Sequence, residues 1–209
     1  ADVLLQEEPL RFQTRKQVGL LGGNFNPVHL AHLVMADQVQ NQLGLDKVYL
    51  MPTYLPPHVD EKKTISSEHR LAMLELAVAD NPCLDIEPIE LIRKGKSYTY
   101  DTMKALKEAN PDTDYYFIIG GDMVEYLPKW HRIDDLLHLV QFVGIRRPNY
   151  PTESTYPIIW VDVPQMAISS TLIRQKVKSG CSTRYLLPEN VINYIQEKGL
   201  YQDELDNKL

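Results

Sequence analysis

Short apolar runs alternate along the chain with segments in which apolar residues recur every third or fourth position. The runs over residues 18–21, 48–51 and 115–119 end at glycine or proline, which is typical of buried β-strands. Between the first two runs, apolar residues recur every four positions over residues 35–43 and are followed by Gly44, which predicts a helix ended by a glycine. Strand, loop, helix and strand in this order predict a βαβ unit with parallel strands.

The same alternation continues to the C-terminal region. Further strands are predicted over residues 84–86, 89–92, 140–145 and 158–163, and further helices over residues 66–78, 102–109, 172–177 and 191–195. We expect the proline-rich residues 147–157 to form a long surface loop. Strands interleaved with helices predict an α/β fold: a doubly wound, Rossmann-like parallel sheet with helices on both faces and a small C-terminal helical part. We expect residues 1–16 to be an N-terminal extension and residues 17–209 to form a single domain.

Composition narrows the classes of function. With 44% hydrophobic residues among 209, the chain can bury a core, and no apolar run approaches the roughly 18–20 residues of a membrane span, so we expect no membrane partner. The net charge of −6 argues against a nucleic-acid partner. Two cysteines outside any CxxC pair disfavour a disulfide framework and a structural zinc site and favour a cytoplasmic location.

Three segments follow predicted strands on the side of the sheet where α/β proteins bind ligands: residues 22–32, 120–122 and 168–174. In the first, paired glycines allow a sharp turn and a close approach of a ligand to the main chain. His29 and His32 are three apart and share one face of the first helical turn, where the helix N-terminus favours a phosphate. The alternative is an ordinary strand–helix turn with two incidental histidines.

Two of these segments carry a family resemblance. Residues 22–32, GGNFNPVHLAH, resemble the GG[ST]FxPxHxGH signature of the nucleotidylyltransferase superfamily, and residues 168–174, ISSTLIR, resemble its second signature. Between them, the order of motifs is similar to that of the bacterial nicotinate mononucleotide adenylyltransferases: Met51-Pro52 with PPH at 56–58, SYT at 97–99, GGDM at 120–123 and LPKW at 127–130. The resemblance runs from about residue 17 to residue 201.

This resemblance implies transfer of the adenylyl group of ATP to nicotinate mononucleotide, which gives deamido-NAD and pyrophosphate in NAD biosynthesis. The attack would be direct and in line, without a covalent intermediate, so catalysis would come from alignment and charge stabilisation. Mg²⁺ would arrive with ATP, and no metal site built from the protein is expected. The sequence leaves open whether the chain forms a homo-oligomer.

The resemblance also assigns residues. His29, His32 and Arg174 would be catalytic and contact the ATP phosphates. ATP would also be bound by Gly22, Gly23, Asn24, Phe25, Gly120, Asp122, Ser169, Ser170 and Thr171. For Asp122 the resemblance implies the adenosine ribose, and a helix N-cap is the alternative; Ser169 or Ser170 is also a candidate N-cap. Nicotinate mononucleotide would be bound by Trp130 through stacking, by the main-chain N–H groups of Thr99 and His131, and by Arg147 and His58.

The chain departs from the family pattern at four of these motif positions. Ala31 stands where the superfamily usually has glycine, and Asn26 stands where aspartate is common. Val59 stands where lysine is often seen, and His131 occupies a position that we associate with tyrosine. None of these departures removes a residue that the reaction is expected to require. The side-chain contact at His131 is the one they put in question.

Three other functions remain open. The acceptor could be phosphopantetheine or the amidated mononucleotide, although Trp130 and Thr99 argue against the former. A metal-dependent phosphohydrolase could use His29, His32, His58 and Asp122. A non-catalytic nucleotide sensor is disfavoured by the presence of both histidines and Arg174.

Overall fold

Six parallel strands form the centre of the molecule. The computed structural model describes residues 15–54 and 65–202. The strands are β1 Lys16–Gly23, β2 Lys47–Pro52, β3 Leu84–Ile86, β4 Thr113–Gly120, β5 Val140–Ile145 and β6 Ile158–Val161. Their order is β3-β2-β1-β4-β5-β6, and every neighbouring pair is parallel. The order reverses between β1 and β4, which makes the sheet doubly wound and confirms the predicted fold class.

The connections between strands are mostly helical. The helices are α1 Leu30–Leu43, α2 Ser67–Val78, α3 Ile89–Arg93, α4 Thr99–Ala109, a 3₁₀ helix Gly121–Lys129, α5 Ile133–Leu136, α6 Ser170–Lys178 and α7 Glu189–Lys198. Gly44 and Gly199 end α1 and α7 in the left-handed conformation, with φ of 62° and 60°, which other residues adopt at a cost. No helix in the described ranges is long and apolar enough to cross a membrane.

The sheet separates two apolar layers. Along β4, Phe117 and Ile119 face one layer and Ile118 the other, as the two-residue period of a strand requires. The layer that contains Ile118, here called the first layer, is completed by α1, α2, α6 and α7. The second layer is completed by α4, α5 and the 3₁₀ helix. Helices therefore cover both faces of the sheet, as predicted.

One predicted strand is wrong. Residues 89–92 form α3, in which Leu91 is buried and Ile92 is 72% exposed. A short apolar run does not distinguish a strand from one helical turn, and here the buried Glu90 accepts a hydrogen bond from the Thr102 hydroxyl at 3.0 Å. That contact holds the turn against α4. The predicted helices do not include the 3₁₀ helix or α5.

The reversal of strand order determines where a ligand can bind. Strands β1 and β4 lie side by side at the centre of the sheet and end at Gly23 and Gly120. The chain leaves β1 toward the first layer and β4 toward the second, so a crevice opens between the two strand ends. The predicted ligand-binding segments begin at these two ends.

We predict that Gly121→Ala destabilises the fold. A methyl group at Gly121 would lie 2.7 Å from the carbonyl oxygen of Ile145, so the main chain must move. The free energy of unfolding should fall by about 1–3 kcal/mol. Urea unfolding measures it, with Gly22→Ala as the matched control, since the nearest atom to a methyl group there is 3.8 Å away. Equal unfolding midpoints for the two variants would contradict the prediction.

Candidate active site

The turn after β1 is made by a residue other than the paired glycines. Gly22 and Gly23 continue the strand, and Phe25 is the residue that adopts a left-handed conformation, with φ of 49°. Its side chain is buried, and the Gly23 carbonyl accepts a hydrogen bond from the Thr53 N–H at 2.9 Å. The expected sharp turn is therefore present, but packing of Phe25 produces it, and the glycines only leave the strand end open.

The two histidines share the first turn of α1, as predicted. His29 is the N-cap residue, and its ring stacks on that of His32 with centroids 3.7 Å apart. The Nδ1 atom of His32 accepts a hydrogen bond from the His29 N–H at 3.2 Å, so the neutral His32 ring carries its proton on Nε2 and can donate there. The buried Nδ1 of His29 has no hydrogen-bond partner among the described residues.

Burial keeps both histidines uncharged. It lowers the pKa of His29 to about 4 and the pKa of His32 to about 3, the latter with a smaller contribution from the charge of His29. At neutral pH both rings are therefore hydrogen-bonding groups rather than cations. Any positive charge at this site must come from other side chains.

Arg174 supplies such a charge and joins the two signature segments. From α6, its Nη1 donates to the Asn26 carbonyl at 2.8 Å, and the Ser170 hydroxyl donates to the Pro27 carbonyl at 2.9 Å. These contacts join residues that are 148 and 143 positions apart. The predicted convergence of the histidine segment and the arginine helix is present in the structure.

The hydroxyl groups of the second signature are engaged within the protein. Ser169 is the N-cap of α6 and accepts the Leu172 N–H at 3.1 Å, and the Thr171 hydroxyl accepts from Arg174 Nη2 at 3.3 Å. Of the two candidate caps, Ser169 is therefore the one observed. The first main-chain N–H groups of α6 are the groups that this segment can offer to an anion.

Asp122 and Arg147 lie together after β4. The 3₁₀ helix begins at Gly121 after Gly120, so Asp122 lies within its first turn and the alternative N-cap role is wrong. Its carboxylate is 3.7 Å from Arg147 Nε, and a methyl group on Gly120 would lie only 2.5 Å from Asp122 Oδ1. The Arg147 guanidinium also lies 4.0 Å from the sulfur of Met35 in α1. Arg147 is thus placed beside the residue that the resemblance assigns to the ribose of ATP.

Three of the residues predicted for the mononucleotide, Thr99, Trp130 and His131, lie on the side of the second layer. Trp130 is half-buried and packs edge to face on Phe117, with centroids 5.9 Å apart and an interplanar angle of 88°. The His131 ring stacks on Tyr98 at 4.2 Å, and Thr99 is the first residue of α4. This stack brings together the two segments whose main-chain N–H groups were predicted to act as a pair.

Two predictions remain, one on His58 and one on the metal-dependent alternative. His58, and with it Val59, lies outside the described residues. Within the described residues, no group of three or more His, Cys, Asp or Glu side chains could hold a metal ion. Asp122 lies beside Arg147, which is not the environment that the metal-dependent alternative requires.

Two residues that the sequence analysis did not single out support the loop over residues 24–29, here called the phosphate loop. Arg70 of α2 is fully buried and donates to the Asn24 carbonyl at 3.0 Å. The Tyr201 hydroxyl, after α7, donates to Asn26 Oδ1 at 2.7 Å. A signal for Arg70 exists in the sequence: it lies three and four residues before Met73 and Leu74, on the buried stripe of α2.

Comparison with known proteins shows the family of the chain. The family model described as cytidylyltransferase-like matches residues 20–176, so the chain belongs to this family of nucleotidyltransferases. A probable nicotinate-nucleotide adenylyltransferase of Streptococcus mutans is 62% identical over 196 residues, which are 94% of this chain and 93% of that protein. A Streptococcus pneumoniae protein of the same name is 62% identical over 195 residues, 93% of each chain. Within the family, the chain groups with the nicotinate-nucleotide adenylyltransferases.

Solved structures agree on the fold. A Plasmodium falciparum nicotinic acid mononucleotide adenylyltransferase, complexed with NaAD, superimposes with a TM-score of 0.75 and covers 91% of this chain and 100% of its own. The complex described as containing APC gives a TM-score of 0.74. Both are 18% identical in sequence, so the similarity concerns the architecture of the sheet and its helices.

The buried histidines predict a pH dependence of stability. Because folding holds each pKa below its ordinary value of 6.5, the unfolded chain binds protons that the folded chain does not. The free energy of unfolding should therefore be highest above pH 6.5 and fall as the pH is lowered, by about 1.4 kcal/mol per unit for each histidine. Urea unfolding between pH 7 and pH 5 measures this slope.

Three variants identify the groups that produce this pH dependence of stability. His29→Gln should reduce it, and His138→Gln, which removes an exposed histidine, is the matched control. A slope that survives in the His29→Gln, His32→Gln double variant would show that other groups produce it.

Proposed function

We propose that the chain transfers the adenylyl group of ATP to nicotinate mononucleotide. An oxygen of the mononucleotide 5′-phosphate forms a bond to the α-phosphorus of ATP, the bond from that phosphorus to the bridging oxygen breaks, and pyrophosphate leaves. The attack is in line and has no covalent enzyme intermediate. The observation that carries the proposal is the contact of Arg174 with the Asn26 carbonyl beside the stacked histidines.

The phosphate end of the site has the groups that this reaction requires. In our proposal, His32 donates from Nε2 and His29 from its ring to the α-phosphate, where negative charge increases as the bond forms. Among the described residues, Arg174 donates from Nη1 to the Asn26 carbonyl and from Nη2 to the Thr171 hydroxyl, and in our proposal its other N–H groups bind the β- and γ-phosphates. Neutral donors and a permanent cation together stabilise the negative charge of the leaving pyrophosphate.

The acceptor end has groups that suit an aromatic acid. The rings of Phe117 and Phe142 pack nearly perpendicular to the Trp130 ring and hold it in place. In our proposal, Trp130 offers a face of its ring to the pyridinium by stacking. The Tyr98–His131 stack supports a pair of main-chain donors at Thr99 and His131. A carboxylate can accept from both, whereas a carboxamide would oppose its own NH₂ to one of them.

The remaining features fit this proposal. Asp122 accepts the ribose hydroxyls of ATP, and Arg147 beside it contributes to nucleotide binding as well as to the mononucleotide phosphate. Mg²⁺ enters with ATP as part of the substrate. Cys83 and Cys181 are both free, which supports a reducing compartment such as the cytoplasm.

The acceptor assay tests the proposal directly. Purified protein with ATP and Mg²⁺ should release pyrophosphate with nicotinate mononucleotide, and the amidated mononucleotide should react at least tenfold more slowly because it loses one charge-assisted contact. The dinucleotide is identified by mass spectrometry. Equal rates with both acceptors, or pyrophosphate release without an acceptor, would refute the assignment.

His32→Ala should lower turnover by about two orders of magnitude or more.

Trp130→Ala tests the acceptor end separately. Loss of the stacking face should raise the KM for the mononucleotide about tenfold and leave the KM for ATP within about twofold. Leu127→Ala is the matched control, since it removes a buried side chain from the 3₁₀ helix that ends just before Trp130 without removing an aromatic face. An unchanged KM for the mononucleotide in Trp130→Ala would remove the tryptophan from the proposed site.

A further inference from the structure

Among the described residues, Arg70 is the largest of the side chains that are almost completely buried, with 1% of its surface exposed. Its Nη1 lies 3.0 Å from the Asn24 carbonyl, 3.2 Å from Asn24 Oδ1 and 2.7 Å from the Thr53 carbonyl. Its Nη2 donates to the Ser67 hydroxyl at 3.2 Å. One guanidinium thus connects α2 to the chain segments that leave β1 and β2.

Stability alone does not account for a guanidinium in this position. Burial lowers the pKa of Arg70, which reflects the free energy needed to remove its charge from water. No acidic side chain in the described ranges forms a salt bridge with it, and its buried Nε has no partner there. A well-packed apolar side chain would fill the same space at lower cost. The feature that only Arg70 supplies is the fixed position of the oxygen atoms around it.

Those oxygen atoms determine where the neighbouring amides point. In a planar trans peptide the carbonyl and the following N–H point in opposite directions, so holding the Asn24 carbonyl toward Arg70 turns the Phe25 N–H away from α2. The Gly23 carbonyl is held in the same way by the Thr53 N–H. Within the described residues, the Phe25 N–H donates to no main-chain carbonyl. Main-chain N–H groups turned outward by a left-handed residue are typical of anion sites.

We propose that Arg70 is a positioning residue for adenylyl transfer. By holding the Asn24 carbonyl inward, it keeps Phe25 in its left-handed conformation and directs the Phe25 N–H to the side where the ATP phosphates bind. Arg70 does not touch the nucleotide. The proposal rests on the proposed function, because it takes ATP as the anion that the loop receives.

The test compares Arg70→Lys with Leu74→Ala. Lysine keeps the charge but cannot reach the Asn24, Thr53 and Ser67 oxygens together, because it lacks the planar fork. Leu74→Ala removes buried apolar volume from the same helix and leaves the hydrogen bonds of Arg70 in place. Calorimetry with ATP and Mg²⁺, without an acceptor, should give a Kd at least about tenfold higher for Arg70→Lys and within about twofold of wild type for Leu74→Ala. The KM for the acceptor should change by less than about twofold in both.

Each outcome decides the proposal. A Kd of Arg70→Lys within about twofold of wild type would overturn it, whether or not the protein forms the dinucleotide; wild-type binding of ATP without dinucleotide formation would refute the proposed function alone. If Arg70→Lys does not fold, amide hydrogen exchange of the wild type decides. The Phe25 amide should become protected when ATP binds, and exchange that ATP leaves unchanged would overturn the positioning role.

Discussion

The hydrogen bond from Arg174 to the Asn26 carbonyl joins the beginning of the fold to its C-terminal part. Without it, the phosphate loop and α6 would be two separate surface features, each with an ordinary local explanation. With it, the cation of α6 lies against the segment that carries the two stacked histidines, beyond the end of β1. The rest of the site depends on this contact, because it fixes the distance between neutral donors and charge.

At this site, uncharged hydrogen-bond donors and positive charge come from different side chains. His29 and His32 are buried enough to stay neutral, so they can donate hydrogen bonds without repelling the two guanidinium groups nearby. Arg174 carries its charge beside the phosphate loop, and Arg70 carries charge on the α2 side of the loop. A reaction that moves negative charge from one phosphate to the next benefits from donors that are already fixed before the substrate arrives. The buried contacts of the phosphate loop supply this rigidity.

Much of this arrangement follows from the sequence, and the exceptions have identifiable causes. The paired glycines at the ends of β1 and β4, the histidine turn and a cap at Ser169 or Ser170 all follow from local patterns in the sequence. The conformation of Phe25 does not, because it results from tertiary packing rather than from residue type. Arg70 was overlooked although its spacing from Met73 and Leu74 places it on a buried stripe. Residues 89–92 were misread because a single apolar turn has no period to distinguish it from a strand.

The two apolar layers give the enzyme an evolutionary freedom. Groups proposed for the triphosphate come mainly from the phosphate loop and α6 in the first layer, whereas Trp130 and the Tyr98–His131 stack belong to the second. The sheet lies between them as a rigid partition, so repacking behind Trp130 need not disturb the loop behind β1. A protein built in this way can exchange one acceptor for another over generations while it keeps the same nucleotide donor.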